Sequence, residues 1–260
     1  MALNILDGYK FDHRGPQTAH VQIEAMKLAF ADALKYVADP RFSKVPVAQM
    51  IDKSYGENRR KLIGEIAQKP QSSDFNKHGT VYLCTADAQG NMVSFIQSNY
   101  SGFGSGVVVP ETGIALNNRG NGFSLDPNHP NVVAPEKRPY NTIIPGFLTK
   151  NGQALGPFGV MGGYLQPQGH VQVLMNMIDF NMNPQQALDA PRWAWIKDMK
   201  ISVEPEFPAE DLRKLRAMGH TIEFDSTKSP FGRGQIILRT PDGTLIGGTE
   251  ARGDGCVATW

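Results

Sequence analysis

One stretch constrains the fold of this 260-residue chain more than any other. It runs His78-Gly79-Thr80-Val81-Tyr82-Leu83-Cys84-Thr85-Ala86-Asp87 and continues as Asn91-Met92-Val93-Ser94-Phe95-Ile96-Gln97-Ser98-Asn99. Both runs are apolar and β-rich, and Ala88-Gln89-Gly90 between them reads as a hairpin turn. A polar segment, Lys69 to Lys77, leads into the first run. The small-residue step Gly79-Thr80 at its mouth has two readings. One is a plain border between loop and strand, where Gly and Thr are common. The other is a self-cleavage site that frees Thr80 as a new chain terminus, whose α-amine then serves as base for its own hydroxyl. The stretch alone leaves both open.

Composition narrows the classes. The length suits one large or two small domains with a substantial core. Lys and Arg number 26 against 25 Asp and Glu, a net charge of +1, so no basic field argues for a nucleic-acid or membrane partner. No apolar run approaches the ~18 residues of a spanning helix. The 27 Gly and 18 Pro fit a loop-rich α/β protein better than a helical bundle. Cys84 and Cys256 make no disulfide framework, and Cys84, in an apolar strand, reads as a buried small hydrophobe. His13, His20, His78, His129, His170 and His220 show no metal-ligand spacing, so neither a structural metal nor a cofactor is expected. Met1 to Leu6 lacks the basic leader of a signal peptide. It reads as the tail of a helix that begins upstream, so the chain is expected to be the C-terminal part of a longer precursor.

Periodicity then places the elements. Ile23, Met26, Phe30, Leu34 and Val37 predict a helix over 18–38 with a core-facing stripe, stopped by Asp39-Pro40. Further helices are expected over 47–51, behind Pro46, and over 55–68. The polar segment 69–79 is expected to be exposed, flexible and suited to chain cleavage. Strands are expected over 80–87, 91–98, 106–109, 113–116, 143–149 and 155–160. Between them, Gly102, Gly104 and Gly106 lead to a strand rather than a helix, which favours close backbone packing over a phosphate loop. The aperiodic 117–142 has the character of a lid or binding loop. Gly162-Gly163, just before a helix over 167–181, is either an oxyanion hole or a tight strand-to-helix turn. A helix over 184–190, a strand near 200–203, a helix over 208–217 and strands near 221–224, 234–239 and 244–247 complete the chain.

The order of landmarks carries a resemblance. Thr80 opens a strand, and Gly90-Asn91, Phe103-Gly104, Gly113-Ile114, Asn117-Asn118, Lys137-Arg138-Pro139, Gly162-Gly163, Ala190-Pro191-Arg192, Gly247-Gly248 and Arg252 follow. With Glu24 to Phe30 upstream, this series resembles the γ-glutamyltransferase family of N-terminal-nucleophile hydrolases across essentially the whole chain. The resemblance implies an α+β fold, an αββα sandwich, built from a proenzyme that cuts itself before a Thr. Here the bond is Gly79-Thr80. Residues 1–79 would end the large subunit and residues 80–260 would form the small one. It implies that Thr80 Oγ attacks an amide carbonyl with its own α-amine as base. The N–H groups of Gly162 and Gly163 would hold the oxyanion. Ser98 stands where the family has a Thr that hydrogen-bonds the nucleophile.

Departures bear on the substrate. Where typical members grip an α-amino group with Asn, Gln and Asp, this chain has Tyr100, Arg119 and Gly122. A pair of Ser that binds the α-carboxylate is replaced by Asn141-Thr142, which still donates hydrogen bonds. The acidic partner of an ammonium is gone and a cation has appeared, so the pocket reads as rebuilt for carboxylates, with Arg119 as a bidentate fork. Asn118-Arg119-Gly120, Phe123 to Pro127 and His129-Pro130-Asn131 look like the γ-glutamyltransferase-like amidohydrolases, a branch that includes oxamate amidohydrolase and cephalosporin-acylase-like proteins. The leading expectation is therefore a self-processing amidohydrolase acting on a small carboxylate-bearing amide. The alternatives are a true γ-glutamyl hydrolase or transpeptidase acting on glutathione, and an unprocessed, inactive fragment. The partners expected are the small-molecule amide, the rest of the large subunit and a further copy in a homo-oligomer.

Overall fold

The computed structural model describes residues 1–70, 79–226 and 231–260. The hairpin forms as its pattern dictates: β1 (Gly79–Ala86) pairs antiparallel with β2 (Met92–Tyr100). Leu83 lies opposite Phe95 and Thr85 opposite Val93, so Val81, Leu83, Val93 and Phe95 share one face by strand alternation. Those four side chains are exposed. Tyr82, Cys84, Ser94 and Ile96 share the other face, which lies on a second sheet.

That sheet has the order β3 (Gly146–Lys150), β4 (Gln153–Met161), β8 (Arg233–Arg239), β9 (Leu245–Thr249), with every neighbour antiparallel. Close approach of the two sheets depends on a bare backbone at Gly159, where a Cβ would lie 2.5 Å from the Tyr82 ring. The Tyr82 hydroxyl meets Ser94 Oγ at 2.8 Å. On the far side of the larger sheet lie α5 (Leu165–Ile178) and α6 (Pro184–Asp189). Asn183 and Gln186 close a reciprocal capping box that starts α6. Phe158, Val160, Leu165, Leu174, Leu188, Phe231 and Ile236 fill the space between sheet and helices.

A larger core sits beyond α5. There α2 (Pro16–Tyr36) contributes Ile23, Met26 and Phe30, α7 (Ala209–Ala217) contributes Leu215, and Trp193, Trp195 and Ile201 come from a third sheet. This sheet comprises β5 (Trp193–Lys197), β6 (Lys200–Val203) and β7 (Thr221–Phe224), and its β6–β7 pair is parallel. Short helices α1 (Ala2–Leu6), α3 (Val47–Ile51) and α4 (Lys53–Arg60) complete the described structure. The architecture is a mixed α/β sandwich, with two sheets face to face and helices stacked on the larger one.

Several expectations are corrected. The helix expected over 55–68 ends at Arg60, because Leu62 and Ile63 turn back onto the Arg59 and Arg60 carbonyls. The strands expected over 106–109 and 113–116 reduce to one bridge, Val108 with Ala115, since Pro110 and the positive φ of Glu111 and Gly113 break both runs. β5 was not expected, because its five residues directly follow a helix end and a Pro. The expectation for 69–79 falls almost wholly on residues outside those described. Cys84 is half-buried rather than buried.

The core-facing stripe expected on α2 is present, with Ile23, Met26 and Phe30 in the core and Leu34 packed against it, and burial extends beyond it. His20, Gln22, Glu24, Lys27 and Asp32 are buried on it beside the apolar set. His20 Nε2 donates to the Gly64 carbonyl (2.9 Å), which makes its Nδ1 the acceptor of His220 Nε2–H at 2.8 Å. Glu24 accepts from Lys27 Nζ (2.7 Å) and from the Gln68 amide (3.1 Å). Ring nitrogens of His20 and His220 and a carboxylate oxygen of Glu24 lie within 4.8 Å of one another, a convergence that linear spacing could not show across 200 residues. Each of the three side chains already has a hydrogen-bonded role in this cluster.

Burial, with the nearby Lys27 and His20, pushes His220 down to about 3 from its ordinary value of 6.5. The unfolded chain therefore binds a proton that the folded chain refuses between those values. Stability is complete above pH 6.5 and falls as pH drops towards 3, at up to ~1.4 kcal/mol per pH unit. His220→Gln is expected to flatten this dependence of the thermal midpoint, and an unchanged slope would refute the assignment. Gly159→Ala should lower the unfolding free energy in urea by about 1–3 kcal/mol, because the added methyl drives Tyr82 off the sheet.

Candidate active site

The ladder breaks at the mouth of the hairpin. Gly79 pairs with Tyr100 but Val81 pairs with Gln97, so Ser98 and Asn99 together oppose Thr80. Such a bulge re-aims side chains, and here Thr80 Oγ donates to Ser98 Oγ at 3.2 Å. The Tyr100 amide donates to the same oxygen at 2.9 Å. Tyr100 takes a φ of 77° to do so, a left-handed conformation uncommon for a bulky residue. The expected meeting of Thr80 and Ser98 is thus present, brought about by a bulge that the alternation pattern did not show.

Arg119 opens a single 3-10 turn, Arg119–Gly122. Asn118 ties that turn to the bulge, its Oδ1 accepting from the Ser101 amide (3.0 Å) and its own amide donating to the Asn99 carbonyl (3.1 Å). Asn131 pins the turn from the other side through the Gly122 carbonyl (2.7 Å) and the Tyr140 amide (3.1 Å). The guanidinium lies over the Tyr100 ring, 5.2 Å from its centroid, and Nη1 donates to Thr142 Oγ1 at 3.1 Å. Nη2 is buried and has no hydrogen-bond partner among the described residues. Burial pulls the Arg119 pKa below its ordinary value, as expected where a cation loses water without gaining an anion. Asn141 differs from its neighbour Thr142: it is exposed, and its Oδ1 accepts from the Ile143 amide (3.3 Å).

Gly162 and Gly163 turn β4 into α5 with φ of 143° and 58°. Their carbonyls accept from Leu165 (3.0 Å) and Gln166 (3.1 Å). Tyr164 stacks on Tyr140, 6.4 Å between centroids. Burial first, and then Tyr100 and Tyr140, raise the Tyr164 hydroxyl above its ordinary value, and a hydrogen bond joins it to Tyr100. A continuous set of contacts therefore runs from the glycine turn through Tyr164 and Tyr100 to Ser98 and Thr80. Cys84 stands apart from this chemistry: burial pushes its thiol up to about 11, which leaves it protonated and unreactive near neutrality. A cleft of about 470 Å³ opens beside Val81, Tyr82 and Met161 and reaches the Glu250–Gly255 turn.

Sequence reasoning missed what supports this site. Arg192 and Arg252 entered only as landmarks, and Glu204 and Glu250 not at all. Arg192 is 2% exposed, Glu204 and Glu250 1% each. Glu250 Oε2 accepts from Arg192 Nη2 (2.7 Å) and the Gly234 amide (2.9 Å), and Arg252 bonds to both glutamates. Arg192 Nη1 also donates to the Phe231 carbonyl (2.8 Å). This holds the 231–232 corner against Gly162, where an added Cβ would meet Gly232 Cα at 3.1 Å. Charged residues that meet across as many as 58 positions carry no linear signal of such a network.

Comparison with known proteins places this geometry. The sequence profile described as Gamma-glutamyltranspeptidase matches residues 1–260. A glutathione hydrolase-like YwrD proenzyme of Bacillus subtilis is 38% identical over 98% of this chain and 50% of its own length. An oxamate amidohydrolase proenzyme of Klebsiella pneumoniae is 35% identical over 98% of this chain and 50% of its own. The crystal structure of cephalosporin acylase from Bacillus halodurans superimposes with a TM-score of 0.94 at 59% identity, covering 100% of this chain and 48% of that one. The chain spans about half the length of the curated relatives it matches.

Glu250→Gln removes one charge from a buried network of four. Arg192 and Arg252 then share one carboxylate, and calorimetry is expected to show a loss of about 3–5 kcal/mol. A loss below about 1 kcal/mol, within the range of surface ion pairs, would show that the network is not what holds these corners together.

Proposed function

The chain belongs to the gamma-glutamyltranspeptidase family, and from that premise we propose that it carries the nucleophile of a self-processing amidohydrolase. On this reading the chain is cut between Gly79 and Thr80. Residues 1–79 end the large subunit and residues 80–260 form the small one. Thr80 Oγ then attacks the carbonyl of an amide. The freed α-amine of Thr80 takes the hydroxyl proton and passes it to the departing amine. The N–H groups of Gly162 and Gly163 steady the oxyanion, and Ser98 orients Thr80 Oγ through the bond they share. Water resolves the acyl-enzyme, and the cleft beside Val81 and Tyr82 gives the amine its way out.

One observation carries the substrate reading: the buried Nη2 of Arg119, which lacks a partner among the described residues. A guanidinium held by Thr142 on one arm and unpaired on the other is half of a carboxylate fork. Gly122, two contacts away through Tyr100, offers no charge to an ammonium. The acyl group is therefore small and ends in a carboxylate, with Arg119 as its anchor. The names of the relatives, an oxamate amidohydrolase and an acylase among them, are compatible with this class.

Intact mass of the full-length protein under denaturing conditions is expected to show two species that meet at Gly79/Thr80, and Thr80→Ala only one. A single mass from the folded wild type would overturn the reading. Oxamate-like amides should exceed glutathione in kcat/KM, and the reverse order would favour a glutathione hydrolase, the activity to which the name of the glutathione hydrolase-like B. subtilis relative refers. Arg119→Gln should raise KM for the carboxylate substrate ~10- to 100-fold, the loss of one charged hydrogen bond.

A further inference from the structure

Six non-glycine residues among those described hold a positive φ: Tyr100, Glu111, Glu136, Asn151, Asn181 and Asp198. Five are polar residues outside the buried set. Tyr100 is 4% exposed and bulky, so its conformation costs on the order of 1–3 kcal/mol that Gly or Asn would largely spare. What the tyrosine supplies in return is three attachments. Its amide holds Ser98 Oγ at 2.9 Å. Its ring backs the Arg119 guanidinium at 5.2 Å. Its hydroxyl is hydrogen-bonded to Tyr164, the residue after Gly163. Gly122 lies beside it, where an added Cβ would stand 3.8 Å from that hydroxyl, in ordinary van der Waals contact.

A residue held at its backbone amide, and again through the ring and hydroxyl of a rigid two-torsion side chain, fixes the separation between the three points. We propose that Tyr100 is a specificity-determining residue, a gauge between Thr80 and Arg119 that selects acyl groups by the length of the spacer joining the amide carbonyl to the terminal carboxylate. The inference rests on the reading of Thr80 as nucleophile and Arg119 as anchor. The class it selects is the monoamides of short dicarboxylic acids. An α-ammonium is disfavoured, because the aromatic face that could receive it is already covered by the guanidinium.

The test uses the full-length protein and four monoamides of increasing spacer, oxamate, malonamate, succinamate and glutaramate, with rates normalised to the cleaved fraction. Wild type is expected to prefer one length over its neighbours by ~10-fold or more in kcat/KM, the discrimination one methylene allows in a fixed site. Tyr100→Gly suits the backbone conformation and keeps the amide on Ser98. It should flatten the preference to within about 3-fold, raising KM more than it lowers kcat. Tyr100→Asn is read in its place should the Gly variant not fold. Tyr100→Phe keeps the ring but loses the Tyr164 attachment, and should give an intermediate profile. A wild-type length profile in the Gly or Asn variant overturns the gauge alone. So does a folded Gly or Asn variant that no longer cleaves itself, which would place Tyr100 with the nucleophile. A cleaved wild type that turns over none of the four overturns the gauge and the anchor together.

Discussion

The fold rests on a buried exchange of charge. Arg192, Glu204, Glu250 and Arg252 come from the start of β5, the turn after β6 and the end of β9, and between them they close the corner where sheet, helix α6 and third sheet meet. Arg252 also reaches the Leu188 and Ala190 carbonyls at the end of α6. Four desolvated ions are tolerable only because nearly every hydrogen-bonding position is answered. Their geometry fixes where the 231–232 corner lies, hence where Gly162 turns, hence where α5 begins. The site is downstream of that corner in the mechanical sense.

The hairpin is positioned by a different force. The Tyr82 ring packs on the bare backbone of Gly159, where there is no space for a Cβ, so the small sheet approaches the large one closely. Packing holds β1 along its length, and the bulge frees only Thr80 from regular pairing. The strand is regularly paired from Val81 onward and irregular at Thr80. The hydroxyl can be aimed by its neighbours without disturbing the ladder.

Much of this was legible in the sequence. The apolar, β-rich runs of Val81 to Ala86 and Met92 to Gln97 marked the hairpin, and helical spacing marked α2. Each is a local signal, repeated over several residues. The order of small landmarks identified the family, and with it the pairing of Thr80 and Ser98. What escaped depends on single residues meeting over long separations. The partnership of His20 with His220, the ion network, and the bulge that counts two residues against one have no period to detect. The buried polar residues of α2 were out of reach for a related reason: distant backbone and His220 satisfy them, and composition alone carries no sign of those partners. Arg119 was found by its position in a motif, yet the arm that no described residue pairs is a fact of three dimensions.

The segment before the hairpin is fastened at several points: Gly64 to His20, Ala67 to Met218 (2.7 Å) and Gln68 to Glu24. α2, meanwhile, shares its core with Trp193, Trp195 and Leu215. A break in the backbone after Gly79 would therefore sever the connection without separating the parts. Two polypeptides would then divide one interior, and neither could keep its half dry alone. Folding of the cut molecule would change molecularity: what the intact chain holds by tethering, the nicked one would hold by mass action, so its melting would depend on how much of it is in the tube.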